Sequence, residues 1–205
     1  MAEPRFQRRK EDRPAEITQA AMHAFAEKGY AATRVDDVAK RAGVSKGLLY
    51  LYFKTKEDLF KAVIRSFVLP RVDALTRQVD RSDLSPTQFL RGPFLDFAQS
   101  GPGSPARKLV RLLVSEGPRH PDLLEWYWEH VVSRGLAAIQ QLIRRGIDLG
   151  EFRPNAVEHY PQLLISPVLF SMLWLQLFDK HAPLDTDALL HNHVELVLSA
   201  IGADQ

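Results

Sequence analysis

The sequence predicts an all-α protein, a small N-terminal module of short helices followed by a larger helical body, and three observations carry that prediction. Apolar residues recur at three- and four-residue steps from Ala15 onward, the spacing that keeps them on one helix face. No alternation of β-branched and aromatic residues bounded by Asn-Gly turns marks a strand. Glycine, serine, threonine and proline fall where helices would begin and end.

Taken in order, Ile17, Ala20, Ala21, Ala24 and Phe25 form the inward face of a first helix that Gly29 is expected to stop near Lys28 in a left-handed conformation. Thr33 is expected to cap a second helix with its hydroxyl, Asp36 sitting favourably in the positive first turn and Val35, Val38, Ala39 and Ala42 facing inward. Gly43 closes this helix, and after Gly43-Val44-Ser45 the serine caps a third helix from Lys46 to about Phe53. Thr55 and Asp58 cap a fourth, with Leu59, Phe60, Val63, Ile64 and Phe67 inward and Pro70 interrupting or kinking it. Ser85-Pro86-Thr87-Gln88 holds a cap, a proline at the first helical position and a glutamine able to complete a capping box, so a helix through Phe97 follows. The Gly-Pro-Gly-Ser-Pro run at 101–105 predicts a loop, with further helices near 106–116, 121–149, 155–178 and 185–201.

Composition narrows the function. With 205 residues the chain is long enough to bury a core, and at 45% apolar and 25% charged it is an ordinary globular sequence. Cysteine is absent, which excludes disulfides, zinc-finger ligation and thiol chemistry. The polar start contains no apolar core for an export signal, and the uncharged stretch 159–178 is interrupted by Pro161, Gln162, Ser166, Pro167, Ser171 and Gln176. It is therefore read as a buried helix and not a membrane span, and a cytoplasmic location is expected. The net charge of +2 conceals an asymmetry: residues 1–65 carry 14 Lys and Arg against 9 Asp and Glu, whereas residues 66–205 carry 13 against 16. The basic excess lies in the N-terminal module, as in a segment that meets a polyanion.

Residues 33–53, TRVDDVAKRAGVSKGLLYLYF, meet the requirements of a helix-turn-helix that reads duplex DNA. Gly43 permits the abrupt turn, Val44 plugs the angle, and Ala39 and Ala42 let the helices approach. Ser45 and Lys46 place a hydroxyl, free amides and a cation at the positive end of the recognition helix, which suits phosphate and, for Lys46, a guanine edge. Gly47 leaves room for close approach to the groove. Tyr50 and Tyr52 can donate to phosphates, but two residues apart they diverge, and Tyr50 is read as the outward one. Lys54, Thr55 and Lys56 add phosphate contacts at the next helix start.

The stretch AFAEKGYAATRVDDVAKRAGVSKGLLYLYFKTKEDLF, residues 24–60, resembles the DNA-binding domain of TetR-family transcriptional regulators. The Gly-Tyr before the second helix, the Gly-Val-Ser turn, the Leu-Tyr-x-Tyr-Phe end and the Lys-Glu-x-Leu of the next helix occur together and in order. The resemblance implies DNA contacts at Thr33, Lys46, Tyr50, Tyr52 and Lys56, with Gly47 close by. Leu48 departs from a position often held by Thr or Ser and offers a thymine-methyl contact in place of a hydrogen bond. The interface set is thus Thr33, Ser45, Lys46, Gly47, Leu48, Tyr50, Tyr52 and Lys56.

The resemblance further implies a homodimeric repressor that binds a near-palindromic operator and is released by a small-molecule effector. The expected organisation is a basic, disordered arm over 1–14, a helix-turn-helix DNA-binding domain over 15–60, and a helical ligand-binding and dimerisation domain over 61–205. The apolar segments 159–178 and 189–198 resemble the helix pair of the intersubunit four-helix bundle. Phe97, Trp126, His130, Phe170 and Trp174 are the candidates for lining an effector cavity, with plain core packing as the competing reading. The arm residues Arg5, Arg8, Arg9, Lys10 and Arg13 form either a solvated tail or a minor-groove arm. His191 and His193 point to different helix faces and no ligand spacing completes a metal site, so neither metal nor cofactor is expected. No nucleophile elbow, phosphate loop or dinucleotide fingerprint appears, and the protein is not expected to be an enzyme. The alternatives are a DNA-binding regulator without an effector and, further off, a helical enzyme or binding protein with a vestigial helix-turn-helix.

Overall fold

The structure, a computed structural model, describes residues 5–203, with side chains from residue 13 onward. Among the described residues no strand forms; a single antiparallel bridge joins Phe152 to Gly202. The chain divides into two compact units, Met1–Pro70 with Leu112–Leu124, and Arg71–Arg111 with Glu125–Gln205.

In the first unit α1 (Arg5–Ala32) is interrupted at Gly29, whose φ of 81° and ψ of 170° put it in an extended positive-φ region open essentially to glycine. The glycine stops the helix as its sequence position predicts, though not with the expected left-handed helical ψ. Beyond it follow α2 (Val35–Arg41), α3 (Lys46–Tyr52) and α4 (Lys56–Phe67). The predicted cap at Ser45 is present, its hydroxyl accepting from the Leu48 amide at 3.1 Å, and Thr55 and Asp58 make the predicted capping box. The cap at Thr33 is not. The N-cap of α2 is Arg34, which makes no side-chain cap. Thr33 is buried and donates its hydroxyl backwards, to the Gly29 carbonyl at 2.6 Å and the Ala24 carbonyl at 3.2 Å. The break at Gly29 leaves carbonyls without helical donors, and the hydroxyl is the nearest group able to satisfy them.

The unit is held by an aromatic cluster. Phe25, Tyr30 and Phe60, all nearly fully buried, have ring centroids 5.4–5.6 Å apart, two of the three pairs edge-to-face. Such pairs add about 0.5–1.5 kcal/mol each beyond area burial and fasten α4 to α1. Across the α2–α3 turn Gly43 has φ 65°, and Leu49 is the fully buried residue that anchors α3.

In the second unit α5 (Leu69–Arg81, its Arg71–Arg81 portion) follows a helix boundary next to Pro70. α6 (Pro86–Phe89) begins with the predicted Ser85–Gln88 capping box. A π-helical turn, Leu90–Phe94, then leads into α7 (Leu95–Gln99); Pro93 lies inside it and has no amide to donate, which accounts for the widened turn. α8 (Ala106–Glu116) belongs to both units, its residues through Arg111 to the second and from Leu112 to the first. α9 (Pro121–Tyr127) and α10 (Ser133–Asp148) are joined by another π-helical turn, Trp128–Val132. The expected helix at 155–178 is two helices, α11 (Ala156–His159) and α12 (Gln162–Leu177), because Pro161 cannot continue a helical ladder. α13 (Thr186–Ile201) is capped by Asp185. Leu142 and Ile143 of α10, Leu164 and Met172 of α12, and Leu190 and Val194 of α13 lie in the core. No described helix is long and apolar enough to cross a membrane.

Candidate nucleic-acid interface

The helix-turn-helix is braced against α1 by two charged contacts. Arg41 grips Glu27 with both guanidinium nitrogens, at 2.9 and 2.7 Å, and Lys28 donates to Asp37 at 2.8 Å. The Lys28 bond, with that ammonium's charge, holds the Asp37 carboxyl below its ordinary range. These exposed pairs orient α2 and, screened by solvent, add little to stability.

The outward face of α3 opens with Ser45, Lys46 and Gly47, all exposed, and continues through partly exposed Leu48, Tyr50 and Tyr52. At Gly47 no neighbouring atom lies within 4 Å of where a Cβ would stand, so the first turn presents bare backbone. Lys46 is not free: its Nζ is 2.8 Å from one carboxylate oxygen of Asp36 and 3.0 Å from the other. That bond, and the attraction behind it, raises the lysine pKa. The same Nζ lies 6.0 Å from the centroid of the Tyr50 ring. Tyr52 is tilted against Phe53 at 6.5 Å, so neither tyrosine is wholly outward.

Two predicted contact residues are placed otherwise than their sequence positions imply. Thr33 is 2% exposed with its hydroxyl engaged in the protein. Lys56 folds back on α1, donating to the carbonyls of Tyr30 at 2.9 Å and Ala31 at 3.1 Å, with its ammonium 4.5 Å from the centroid of the Tyr30 ring. Partial burial lowers its pKa, opposed by the charge of Glu116. Within the same unit the His120 ring packs edge-to-face on Tyr30 at 4.7 Å, and one carboxylate oxygen of Glu116 is buried without a hydrogen-bond partner. Lys54 is exposed.

Three features of this surface escape a reading of the motif alone. Asp36 registers in the sequence as an acid in a first turn, not as the partner of Lys46. Leu51 is 64% exposed on α3 although it lies among apolar neighbours in sequence. Glu116 and His120 come from a segment far beyond α4 in the chain, and no local periodicity marks them as part of the first unit.

In the second unit the five aromatic and histidine candidates fall as two ring pairs and one residue that lines a cleft. Trp126 and His130 stack at 4.4 Å, His130 Nδ1 also lying 2.9 Å from the Trp126 carbonyl. Phe170 and Trp174 lie together on α12, centroids 5.5 Å apart, with Trp174 donating to the Ala182 carbonyl at 2.8 Å. Phe97 lines a separate cleft of about 280 Å³ with Arg71, Leu75, Pro93 and Ser100. The Arg71 guanidinium sits 5.2 Å from the Phe97 ring and donates to the Phe97 carbonyl and the Ser100 hydroxyl, at 2.9 and 2.7 Å. Among the described residues no cluster of His, Asp and Glu is arranged to hold a metal ion.

The chain is similar to known proteins over both of its parts. Residues 17–63 match the family described as "Bacterial regulatory proteins, tetR family", and residues 93–197 match "Tetracyclin repressor-like, C-terminal domain". The HTH-type transcriptional regulator YhgD of Bacillus subtilis (strain 168) is 44% identical over 183 residues, 87% of this chain and 91% of that protein. The HTH-type transcriptional repressor KstR2 of Mycolicibacterium smegmatis is 26% identical over 192 residues, 93% and 91% of the two chains. Solved structures share the fold. One is a SmeT–triclosan complex, with a TM-score of 0.79 at 22% identity over 94% of this chain and 92% of that one. Another is FadR of Bacillus subtilis with stearoyl-CoA, with a TM-score of 0.72 at 23% identity over 91% and 98%. The α2–α3 pair with its serine-capped α3, the exposed basic start of that helix and matches that span both parts of the chain lead to one assignment: this chain belongs to the TetR family of bacterial regulatory proteins and is a DNA-binding regulator of transcription.

Proposed function

We propose that the protein is a cytoplasmic homodimeric repressor that reads a near-palindromic operator through α3 and is released from it by a small molecule held in the larger helical domain. The observation that carries the DNA-reading half is the exposed first turn of α3, where a serine-capped helix start, Lys46 and the open Gly47 backbone coincide. A helix presented this way fits the major groove, its free amides and cation facing phosphates and base edges. The interface comprises Ser45, Lys46, Gly47, Leu48, Tyr50 and Tyr52, with Lys56 joining when it leaves α1, and Thr33 supporting from within.

Dimerisation is supported by α12. Leu163, Leu169, Phe170 and Leu177 are 46–64% exposed there, and Leu196 of α13 is 66% exposed. An apolar face of this extent is characteristic of an association surface, and a two-fold partner would bury it. Phe170 and Trp174 therefore serve the seam as readily as a cavity. The effector reading rests on similar structures, FadR solved with stearoyl-CoA and SmeT with triclosan, and the repressor reading on KstR2, described as a repressor. In this chain the cleft at Phe97 and the Trp126–His130 stack are the places to look for ligand contact. An effector that binds one conformation better would shift the spacing of two α3 helices that must meet half-sites about 34 Å apart.

Selection of duplexes from a random library by the purified protein, at about 150 mM salt to suppress purely electrostatic binding, tests the whole proposal. Enrichment of an inverted repeat is expected. Lys46→Ala and Tyr50→Phe should each weaken binding to that repeat in a filter titration while sedimentation shows the dimer intact. Unchanged affinity in both variants overturns the assignment of α3.

A further inference from the structure

Lys46 and Asp36 come from different helices, α3 and α2, yet the ammonium is held by both carboxylate oxygens, at 2.8 and 3.0 Å. Their side chains keep 59% and 49% of their surface, so the pair stands in solvent on the face that α3 is proposed to turn toward DNA. A carboxylate at a DNA-facing surface is unfavourable for binding as such, since it opposes every phosphate whatever the sequence. It also removes the reason for the lysine to reach for the backbone, because its charge is already matched.

From this we infer that Asp36 and Lys46 act together as one reading element for a G·C base pair, with Asp36 as a specificity-determining residue. The chemistry is complementary on both sides. The ammonium has three donors, of which the two carboxylate oxygens take two, leaving one for guanine O6 or N7. The carboxylate keeps lone pairs able to accept from the cytosine N4 amino group. Asp36 tethers a long, rotatable side chain at the first turn of α3, so the lysine head meets base edges and not a phosphate. The cost of carrying an acid to DNA is the same for all sequences, and only a site that offers the cytosine donor and a guanine acceptor offsets it. The pair thus lowers non-specific binding more than specific binding. This inference rests on α3 being the DNA-reading helix.

The test compares the full-length wild type with Asp36→Asn, with Lys46→Ala, and with Asp37→Asn, which removes the same charge from the same turn but from a residue paired with Lys28. Each protein is put through selection on a random duplex library and then titrated with a non-specific duplex across salt concentrations. Asp36→Asn is expected to lose preference at one G·C pair of each half-site, by about tenfold, within the range of a good base contact. Its non-specific binding should tighten, with the log–log salt slope steeper by about 0.9 as the freed ammonium moves to a phosphate. Asp37→Asn should keep the wild-type motif, and in the Lys46→Ala background Asp36→Asn should no longer change the G·C preference. An Asp36→Asn motif and salt slope identical to wild type overturn the paired reading and leave α3 as the DNA-reading helix. If the wild type enriches a motif and Lys46→Ala changes neither motif nor salt slope, the assignment of α3 itself falls, and the pair with it.

Discussion

Lys56 donates to the main-chain carbonyl of Tyr30 at 2.9 Å and rests its ammonium 4.5 Å above the ring of the same residue. One side chain thereby closes the end of α1, where the chain has just been broken at Gly29. Charge-assisted bonds to carbonyls are worth about 1.5–3 kcal/mol when enclosed, and partial exposure puts this one at the lower end. Lys56→Met should therefore lower stability by about 1–2 kcal/mol in chemical denaturation followed in the first unit, independently of any DNA. An unchanged midpoint with weakened operator binding would assign Lys56 to DNA alone.

Gly29 holds φ 81° and ψ 170°, with open space where a side chain would begin. Sterics with neighbours are therefore irrelevant, and backbone strain alone sets the cost of a substitution. Gly29→Ala should destabilise by about 1–3 kcal/mol, and Gly29→Ser by a similar amount. Thermal unfolding measures both; a serine variant as stable as wild type would mean that the chain relaxes out of this conformation cheaply.

What is legible in this chain's sequence follows the range of the interactions involved. The caps at Ser45, Thr55 and Ser85 are legible because a cap is decided within three residues of its helix. The breaks at Gly29 and Pro161 are marked by a glycine, which alone enters this positive-φ conformation readily, and a proline, which has no amide to continue a helix. Thr33 misleads because a hydroxyl both accepts and donates. As an acceptor it would cap α2, as a donor it serves the carbonyls freed at Gly29, and the fold shows that the second need wins. The motif likewise places Lys46 on the DNA-facing end of α3, but the length of a lysine side chain lets Asp36, ten residues away, claim its head. The segment carrying Glu116 and His120 joins the first unit through tertiary packing that leaves no local pattern.

Gly146 is buried in α10 against Phe152, and an added Cβ would overlap the phenylalanine ring. Phe152 is itself 3% exposed and carries the bridge to Gly202, so the ring has nowhere to go. Gly146→Ala should cost about 1–3 kcal/mol by overpacking, despite alanine's better helix propensity. Phe152→Leu should recover part of that loss in the double variant, and a denaturant series on the four proteins reads the coupling. Additive single effects would show that the two sites do not share a contact.

Burial raises the Tyr127 phenol to about 12 from an ordinary 10.0, against a smaller opposing pull from Arg71. A pKa raised on folding favours the neutral form in the native state. The associated stability is complete below pH 10 and is lost as pH rises toward 12, because the unfolded chain ionises first. Wild type compared with Tyr127→Phe should give a constant difference in unfolding free energy up to about pH 10. Above that the wild type should fall relative to the variant, by of the order of 2 kcal/mol when the gap is fully traversed. The remaining tyrosines and lysines titrate in both proteins and cancel. Parallel curves through about pH 11.5 would show that this phenol is hydrated in the folded protein.

At Gly47 stability and function can be separated. It sits in the first turn of α3 with nothing within 4 Å of the point a Cβ would occupy, so the folded protein has room for alanine. Replacing glycine inside a helix with alanine gains up to about 1 kcal/mol, less near an end. On the proposed DNA-facing surface the same methyl group would stand between backbone amides and the phosphates or base edges they approach. Gly47→Ala is therefore expected to raise the unfolding midpoint and to weaken operator affinity at least tenfold, about 1.4 kcal/mol. Gly103→Ala, also with open space at its Cβ but in the loop before α8, serves as the control for a glycine remote from α3. A Gly47→Ala protein more stable than wild type and equal to it in operator binding would mean that α3 does not approach DNA along its first turn.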